Sequence, residues 1–300
     1  MSGHLAVLIN PSAGRGRLRG GGVADVLAAL AGAGHEVRVL DAPDEAAASA
    51  AACRAVADEG AAALVAVGGD GTFNLALQAV AGTSVPLGLV PAGTGNDFAA
   101  EAGLPADPVE TAGVIAAAAR AGRARALDLA RLDAAGGYRR WFGAVCAAGF
   151  DAVVNEKANR MRWPKGRRRY DVATVAELLR MRPRRYTLVL DGVPHAVDAI
   201  LVAVGNTASY GGGLRICPAA DPTDGLLDIV VGARMTRLTM MRIKPRLVGG
   251  THVEHPLVTS HRATTVEIHA EGITTYVDGE RACPLPVTVT AVPGALRLLG

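Results

Sequence analysis

Three short stretches of the sequence combine glycines with hydroxyls, amides and acids in a way that suits phosphate handling. The densest is Val67-Gly68-Gly69-Asp70-Gly71-Thr72-Phe73-Asn74. An apolar run, Ala63 to Val67, leads into three glycines and an acid, and a helical pattern follows from about residue 73. Glycines let the backbone approach phosphate oxygens with no side chain in the way. N–H groups at the start of the next helix then face the anion, and Thr72 is placed to cap that helix. A carboxylate among such glycines is repelled by the anion unless a cation bridges them, so Asp70 points to Mg²⁺. The plainer reading, a tight turn with Asp70 as helix cap, does not need three glycines.

A second stretch, Pro91-Ala92-Gly93-Thr94-Gly95-Asn96-Asp97-Phe98, follows the apolar run Leu87–Val90. It repeats the pattern of small residues, a hydroxyl on Thr94 and an acid at a helix start. Beside the first stretch it reads as the other wall of a phosphate pocket, with Asn96 and Asp97 among its polar groups. The third, Asn10-Pro11-Ser12-Ala13-Gly14-Arg15-Gly16, offers Asn10 and Ser12. Gly14 and Gly16 begin a G-x-G-x-x-G pattern, but Arg19 holds its last position, so a dinucleotide fingerprint fails. No G-x-x-x-x-G-K-[ST] occurs either.

Two acidic turns lie later in the chain. Asp278-Gly279-Glu280 follows the apolar run Ile273–Val277. A carboxylate there is a workable base for an alcohol held within ~2.6–3.2 Å, and a structural turn is the alternative. Asp221-x-x-Asp224-Gly225 resembles a short oxygen-ligand loop for a hard cation, and on spacing alone an ordinary turn serves as well.

Elements must position these residues. Over the first ~125 residues, strand patterns at 4–10, 36–40, 62–67 and 86–90 alternate with helical ones near 22–33, 44–59, 73–82, 95–101 and 108–121. That rhythm predicts an α/β domain with an open, mostly parallel sheet covered by helices on both faces. All three glycine-rich stretches then fall at the carboxyl ends of its strands, where ligands bind in such sheets. From about residue 124 strand patterns succeed one another at 125–133, 138–147, 185–191, 196–205, 226–232, 264–270, 273–278 and 286–298. They predict an antiparallel β-sandwich or barrel-like domain with a helical insertion at about 149–182. The expected division is 1–124 and 125–300, with the C-terminal strand free to return to the first domain.

The 300 residues are half hydrophobic and one-fifth charged, which allows a sizeable core. No apolar run approaches the ~18 residues of a membrane span, and no basic leader precedes a long apolar region. A soluble, cytoplasmic protein with at most peripheral membrane contact is expected. Cys53, Cys146, Cys217 and Cys283 have no metal-type spacing and read as reduced, buried thiols. Between Lys157 and Arg185, eleven Lys/Arg stand against Asp171 and Glu177, while the rest of the chain has 20 bases and 26 acids. With Trp163 among them, these bases suit an anionic lipid surface. No nucleic-acid recognition motif accompanies the charge, so nucleic acid is not an expected partner.

NPSAGRG, GGDGTFN and PAGTGNDFA, in this order and spacing, resemble the soluble diacylglycerol-kinase and sphingosine-kinase-like lipid kinase family. The resemblance continues through Gly149-Phe150-Asp151-Ala152, Gly205-Asn206, Tyr210-Gly211-Gly212-Gly213, the run Pro218 to Asp228 and Val277-Asp278-Gly279-Glu280. It covers nearly the whole chain. GGDGT also occurs in NAD kinases; GTGND and the late DGLLD and DGE signatures favour lipid kinases. The resemblance implies a two-domain kinase that uses ATP and Mg²⁺. Glu280 would be the general base, with Asp278 beside it and Asp70 completing the catalytic set. Gly68, Gly69, Asp70, Gly71, Thr72, Asn74 and Thr94 would contact the nucleotide. Asp221, Asp224 and the Leu226 carbonyl would hold a structural Mg²⁺, linked to the active site through Asp70, Asp97 and Asp128. The acceptor implied first is diacylglycerol, giving phosphatidic acid. A sphingoid base, phosphatidylglycerol, or a soluble acceptor in the manner of NAD kinases are the alternatives, and a non-catalytic nucleotide-binding membrane sensor is a third class. A homodimer is compatible with the sequence.

Overall fold

The computed structural model describes residues 3–10, 22–32, 34–93, 95–161, 163 and 168–300. Ser12, with the rest of its loop, Thr94, and the bases Arg162, Lys165 and Arg167 lie outside the described residues. The chain forms two compact units, Met1–Leu129 with Val292–Gly300, and Ala130–Ala291.

The first unit is built from β1 (Leu5–Ile9), α1 (Gly22–Ala31), β2 (Val37–Val39), α2 (Glu45–Ala57), β3 (Ala63–Gly68), α3 (Asp70–Val80), β4 (Leu87–Pro91), α4 (Asp97–Glu101) and α5 (Pro108–Arg120). The four strands are parallel in the order β2-β1-β3-β4. β3 and β4 are buried along their whole length, which explains their unbroken apolar sequences. α1 and α5 pack together over the sheet face that carries Leu5, Val7, Val65 and Val67. α2 and α3 pair with each other and contact β1 and β3. Local chemistry sets the ends: Asp107 accepts from the Val109 and Glu110 N–H groups, and Pro108 opens α5. The strand order turns back at β1, so the switch point lies at the carboxyl ends of β1 and β3.

The second unit is antiparallel. β5 (Arg125–Ala134) enters it and pairs with β6 (Tyr138–Phe142). Then come β7 (Val145–Ala147), α6 (Phe150–Arg160), α7 (Arg168–Arg180), β8 (Arg184–Leu190), β9 (Val193–Gly205), β10 (Leu227–Ala233), α8 (Arg237–Ile243), β11 (Val258–Ala263), β12 (Thr265–His269), β13 (Thr274–Val277), β14 (Glu280–Pro284) and β15 (Val287–Leu299). β9 is the hub, pairing with β7, β8 and β10. The main core joins Leu132, Phe142, Tyr186, Val204, Val266 and Val289. β15 leaves this unit after residue 291, and its final residues pair in parallel with β4 of the first.

Several expected boundaries shift for physical reasons. The strand expected at 138–147 is two strands, broken at Gly143, whose N–H serves a side chain instead of a ladder. The insertion at 149–182 is a pair of helices, α6 and α7. β11 and β14 had no apolar alternation to reveal them, because each pairs on one side only and is largely open to solvent. Cys53 is exposed, whereas the other three thiols are buried as expected.

Candidate active site

In the first unit, two of the glycine-rich turns meet backbone to backbone. β3 ends at Gly68 and α3 starts at Asp70, with Gly69 as N-cap and no side chain capping the helix. Thr72 is therefore not the cap. It lies inside the first turn, buried, and a Cβ on Gly68 would fall 2.2 Å from its Oγ1. A Cβ on Gly93 would fall 2.4 Å from the Gly69 Cα, and one on Gly95 2.5 Å from Asp70 Oδ2. Both glycines are required by close approach.

Polar contacts fasten the two turns. Asp70 Oδ2 accepts the Asn96 N–H at 2.9 Å. The Asn96 side chain accepts from the Gly93 N–H and donates to the Gly93 carbonyl, both at 3.0 Å. Asn96 adopts φ 60°, a left-handed conformation that its short amide tolerates. The Ala92 N–H donates to the Gly68 carbonyl at 2.8 Å, and the Asn10 N–H to the Val67 carbonyl at 3.1 Å. Beneath the turns the Phe73 and Phe98 rings stack at 4.1 Å, which ties α3 to α4 and stabilises by about 0.5–1.5 kcal/mol beyond burial. Asn10, Gly68 to Thr72, Asn74, Asn96 and Asp97 thus gather at one end of the parallel sheet, with α3 presenting its N-terminus.

In the second unit, Asp278 and Gly279 form the two-residue turn between β13 and β14. Both have positive φ, 49° and 81°, as a tight hairpin of this kind demands. The Asp278 carboxylate accepts three backbone N–H groups, from Gly143 at 2.9 Å, Ala144 at 2.8 Å and Val145 at 3.2 Å. The Asn206 side chain, fully buried, donates to the Gly143 carbonyl at 2.8 Å and steadies that backbone. Asp278 is therefore engaged in positioning. Glu280, the first residue of β14, is exposed.

A contact missed in the sequence reading reaches this hairpin from α6. Glu156 accepts the Tyr276 hydroxyl at 2.5 Å and pairs with Arg281 Nε at 3.3 Å, so it grips the residues either side of the Asp278–Glu280 turn. The Tyr276 hydroxyl holds the Glu156 carboxyl below its ordinary pKa, and the Tyr276 pKa is itself pushed up to about 12, chiefly by burial. The sequence offered only the Glu156–Arg160 pair at i, i+4 as a hint. At the start of α6, burial raises the Asp151 carboxyl to about 7, although the Ala152 N–H and the Tyr210 hydroxyl donate to it. Beside α6 and α7 lies a cleft of about 450 Å³, lined in part by Phe150, Val153, Met181, Tyr186 and Ile200, with Arg180, Arg182 and Arg184 among its polar residues.

Asp221 and Asp224 stand in the turn before β10. Asp221 Oδ1 accepts from the Thr223 N–H and hydroxyl, and Asp224 Oδ1 from the Leu226 N–H. Arg262 on β11 pairs with Asp224 and, at 3.4 Å, with the Asp228 Oδ2. That Asp228 oxygen is buried without a well-formed hydrogen bond, and burial pushes its carboxyl up against the opposing pull of Arg262. Asp224 and Asp228 share the Arg262 guanidinium, and Asp221 adds a third carboxylate in the same turn, oxygen donors of the kind that hard cations favour. Among the described residues no group of three or more His, Cys, Asp or Glu side chains converges with metal-site geometry.

Residues 4–132 match the diacylglycerol kinase catalytic domain, and residues 144–300 the YegS C-terminal NAD kinase beta sandwich-like domain. A Mycobacterium tuberculosis protein named diacylglycerol kinase is 44% identical over 310 aligned positions, covering 99% of this chain and 95% of that protein. A crystal structure of a diacylglycerol kinase from Bacillus anthracis shares the fold at TM-score 0.71 and 19% identity, covering 99% of this chain and 96% of the other. An NAD kinase from Archaeoglobus fulgidus, solved in complex with ATP, matches at TM-score 0.57 and 14% identity over 99% and 93% of the two chains. By these matches and by the paired glycine turns and acidic hairpin described above, the chain belongs to the diacylglycerol kinase family, with the YegS-type C-terminal sandwich.

Proposed function

We propose that this protein is an ATP-dependent lipid kinase that transfers the γ-phosphate to a lipid hydroxyl, with diacylglycerol the acceptor and phosphatidic acid the product. The observation that carries the reading is the contact of Gly69 with Gly93 at the ends of β3 and β4, which leaves a side-chain-free backbone surface beside the N-terminus of α3. In this reading Gly68 to Thr72, with Asn10, Ser12, Asn74, Thr94, Asn96 and Asp97, bind the nucleotide phosphates. Asp70 holds the two turns together. Glu280 accepts the proton of the acceptor hydroxyl, and Asp278 fixes the hairpin that carries it.

Mg²⁺ would neutralise charge on the transferring phosphate when bound. Asp221, Asp224 and the Leu226 carbonyl would hold a structural ion, and the placing of two carboxylates in one short turn supports it. An acceptor with acyl chains is favoured over a soluble one by the apolar side chains Phe150, Val153, Met181 and Ile200 in the cleft beside α6 and α7, with Arg180, Arg182, Arg184 and Glu177 as its charged residues. The basic segment 157–185 would bring the protein to an anionic membrane, and exposed Trp163, Val175 and Leu179 support that contact.

One assay tests the reading: ATP labelled at the γ-phosphate, offered with Mg²⁺ to a lipid panel and, separately, to NAD. Label should enter diacylglycerol and leave NAD untouched. Label in NAD with none in any lipid would overturn the proposal.

A further inference from the structure

We propose that α8 and the residues around it, Arg234 to Val248, form a second membrane-seating surface, separate in sequence from the segment 157–185, and that its partner is an anionic lipid bilayer. This stretch holds Arg234, Arg237, Arg242, Lys244 and Arg246 and no acid. The first four bases are exposed and, among the described residues, enter no ion pair, whereas Arg246 pairs with Glu254 at 3.0 Å. Leu238, Met241 and Val248 stand among them with 57%, 58% and 66% of their surface open to solvent.

The surface is presented by a fixed element. Ile243 and Leu247 are buried in a core with Ile216, Val230 and Val258, and the Thr236 hydroxyl caps α8 by accepting the Thr239 N–H at 3.1 Å. Leu238 and Met241, three residues apart, share a helix face. Apolar side chains held outward amid unpaired bases gain nothing in water, and they mark an interaction surface. Charge complementarity selects its partner. Bases beside inserted apolar residues suit anionic headgroups over hydrocarbon. A second copy of the same surface would bring like charges together. The inference rests on the lipid-kinase reading only for the expectation that the protein meets a bilayer.

The test is co-sedimentation of the full chain with vesicles of phosphatidylglycerol and phosphatidylcholine, against phosphatidylcholine alone, at low and high salt. Arg237→Glu with Arg242→Glu should weaken binding to the anionic vesicles roughly tenfold or more. Leu238→Ser with Met241→Ser should weaken it at both salt concentrations. Both variants should keep the thermal midpoint of the parent and full transfer to a short-chain, water-soluble diacylglycerol. Parent-level vesicle binding by the folded charge variant would overturn the proposal, as would a change in oligomeric state as the only effect of the apolar variant. Absence of transfer to the short-chain acceptor in the parent would count against the kinase reading and leave the vesicle result standing.

Discussion

Asp70 and Asp278 each sit beside glycines in a turn, one in each unit, and they are held in opposite ways. Asp70 accepts the Asn96 N–H from the neighbouring turn, and the closeness of its turn to the next comes from glycines that would clash if they carried a Cβ. Asp278 collects three N–H groups, and its turn is defined by hydrogen bonds and two positive φ angles. In the first unit shape is obtained by leaving side chains out; in the second, by a side chain reaching back into the backbone. Glu280, two residues beyond Asp278, is exposed on its strand. The acid that holds the hairpin and the exposed acid beside it are thus separable by their contacts.

Replacing the exposed acid should have the largest effect. Glu280→Gln should lower phosphate transfer by about 10²–10⁴-fold, with the urea midpoint unchanged because the residue is exposed. A matching loss of stability would erase the distinction between Glu280 and Asp278. Asp278→Ala should do what Glu280→Gln does not. It strips the acceptor from three backbone donors, and a buried donor left unsatisfied costs about 1–3 kcal/mol. Chemical denaturation should reveal a loss of a few kcal/mol, and Asp278→Asn, which keeps one oxygen and tolerates the left-handed backbone, should lose less.

Asp151 sharpens the comparison, because N–H donation does not rescue it from burial. Its pKa is raised to about 7, so between about pH 4 and 7 the folded chain keeps a proton that the unfolded chain releases. Stability from this group therefore falls as pH rises through that window and is flat above it. Thermal scans should show that Asp151→Asn flattens this fall, and an unchanged profile would remove Asp151 from the account. A further effect should come from Gly93→Ala, whose new Cβ would fall 2.4 Å from the Gly69 Cα, so the two turns must move apart. Overpacking of this sort costs about 1–3 kcal/mol. Calorimetry should register weaker nucleotide binding; parent-level affinity would mean that backbone closeness of the turns is not what binds phosphate.

The legible part of this protein is the part whose causes are local. Glycines, a helix start and an apolar strand are neighbours in sequence, so the turns at Gly68 and Gly93 and the alternating first unit could be read directly. The contacts that give those residues their roles are not local. Asp70 meets Asn96 across 26 positions, and Asp278 meets Gly143 across 135. Nothing in the spacing of Asp278-Gly279-Glu280 distinguishes the positioning acid from the exposed one. Nor could α8 be read, since Leu238 and Met241 face solvent and interrupt the apolar periodicity that marks a helix. β9 shows both regimes in one strand: its buried second half carries a legible apolar run, and its exposed start at Val193 carries none.

The return of β15 to the first unit sets the order in which that unit is completed during synthesis. Leu298 and Leu299 pair with Leu87 and Gly88, the Gly294 N–H donates to Asp128 at 2.8 Å, and the Ala295 carbonyl accepts from Gly82. These residues emerge from the ribosome only after all of Ala130–Ala291 has been made. N-terminal domains commonly fold first as a chain is synthesised, yet here the first unit waits with an unfilled sheet edge while the other unit is translated. Nor does one cut release it intact: a fragment ending at Leu129 lacks the strand that closes its own sheet.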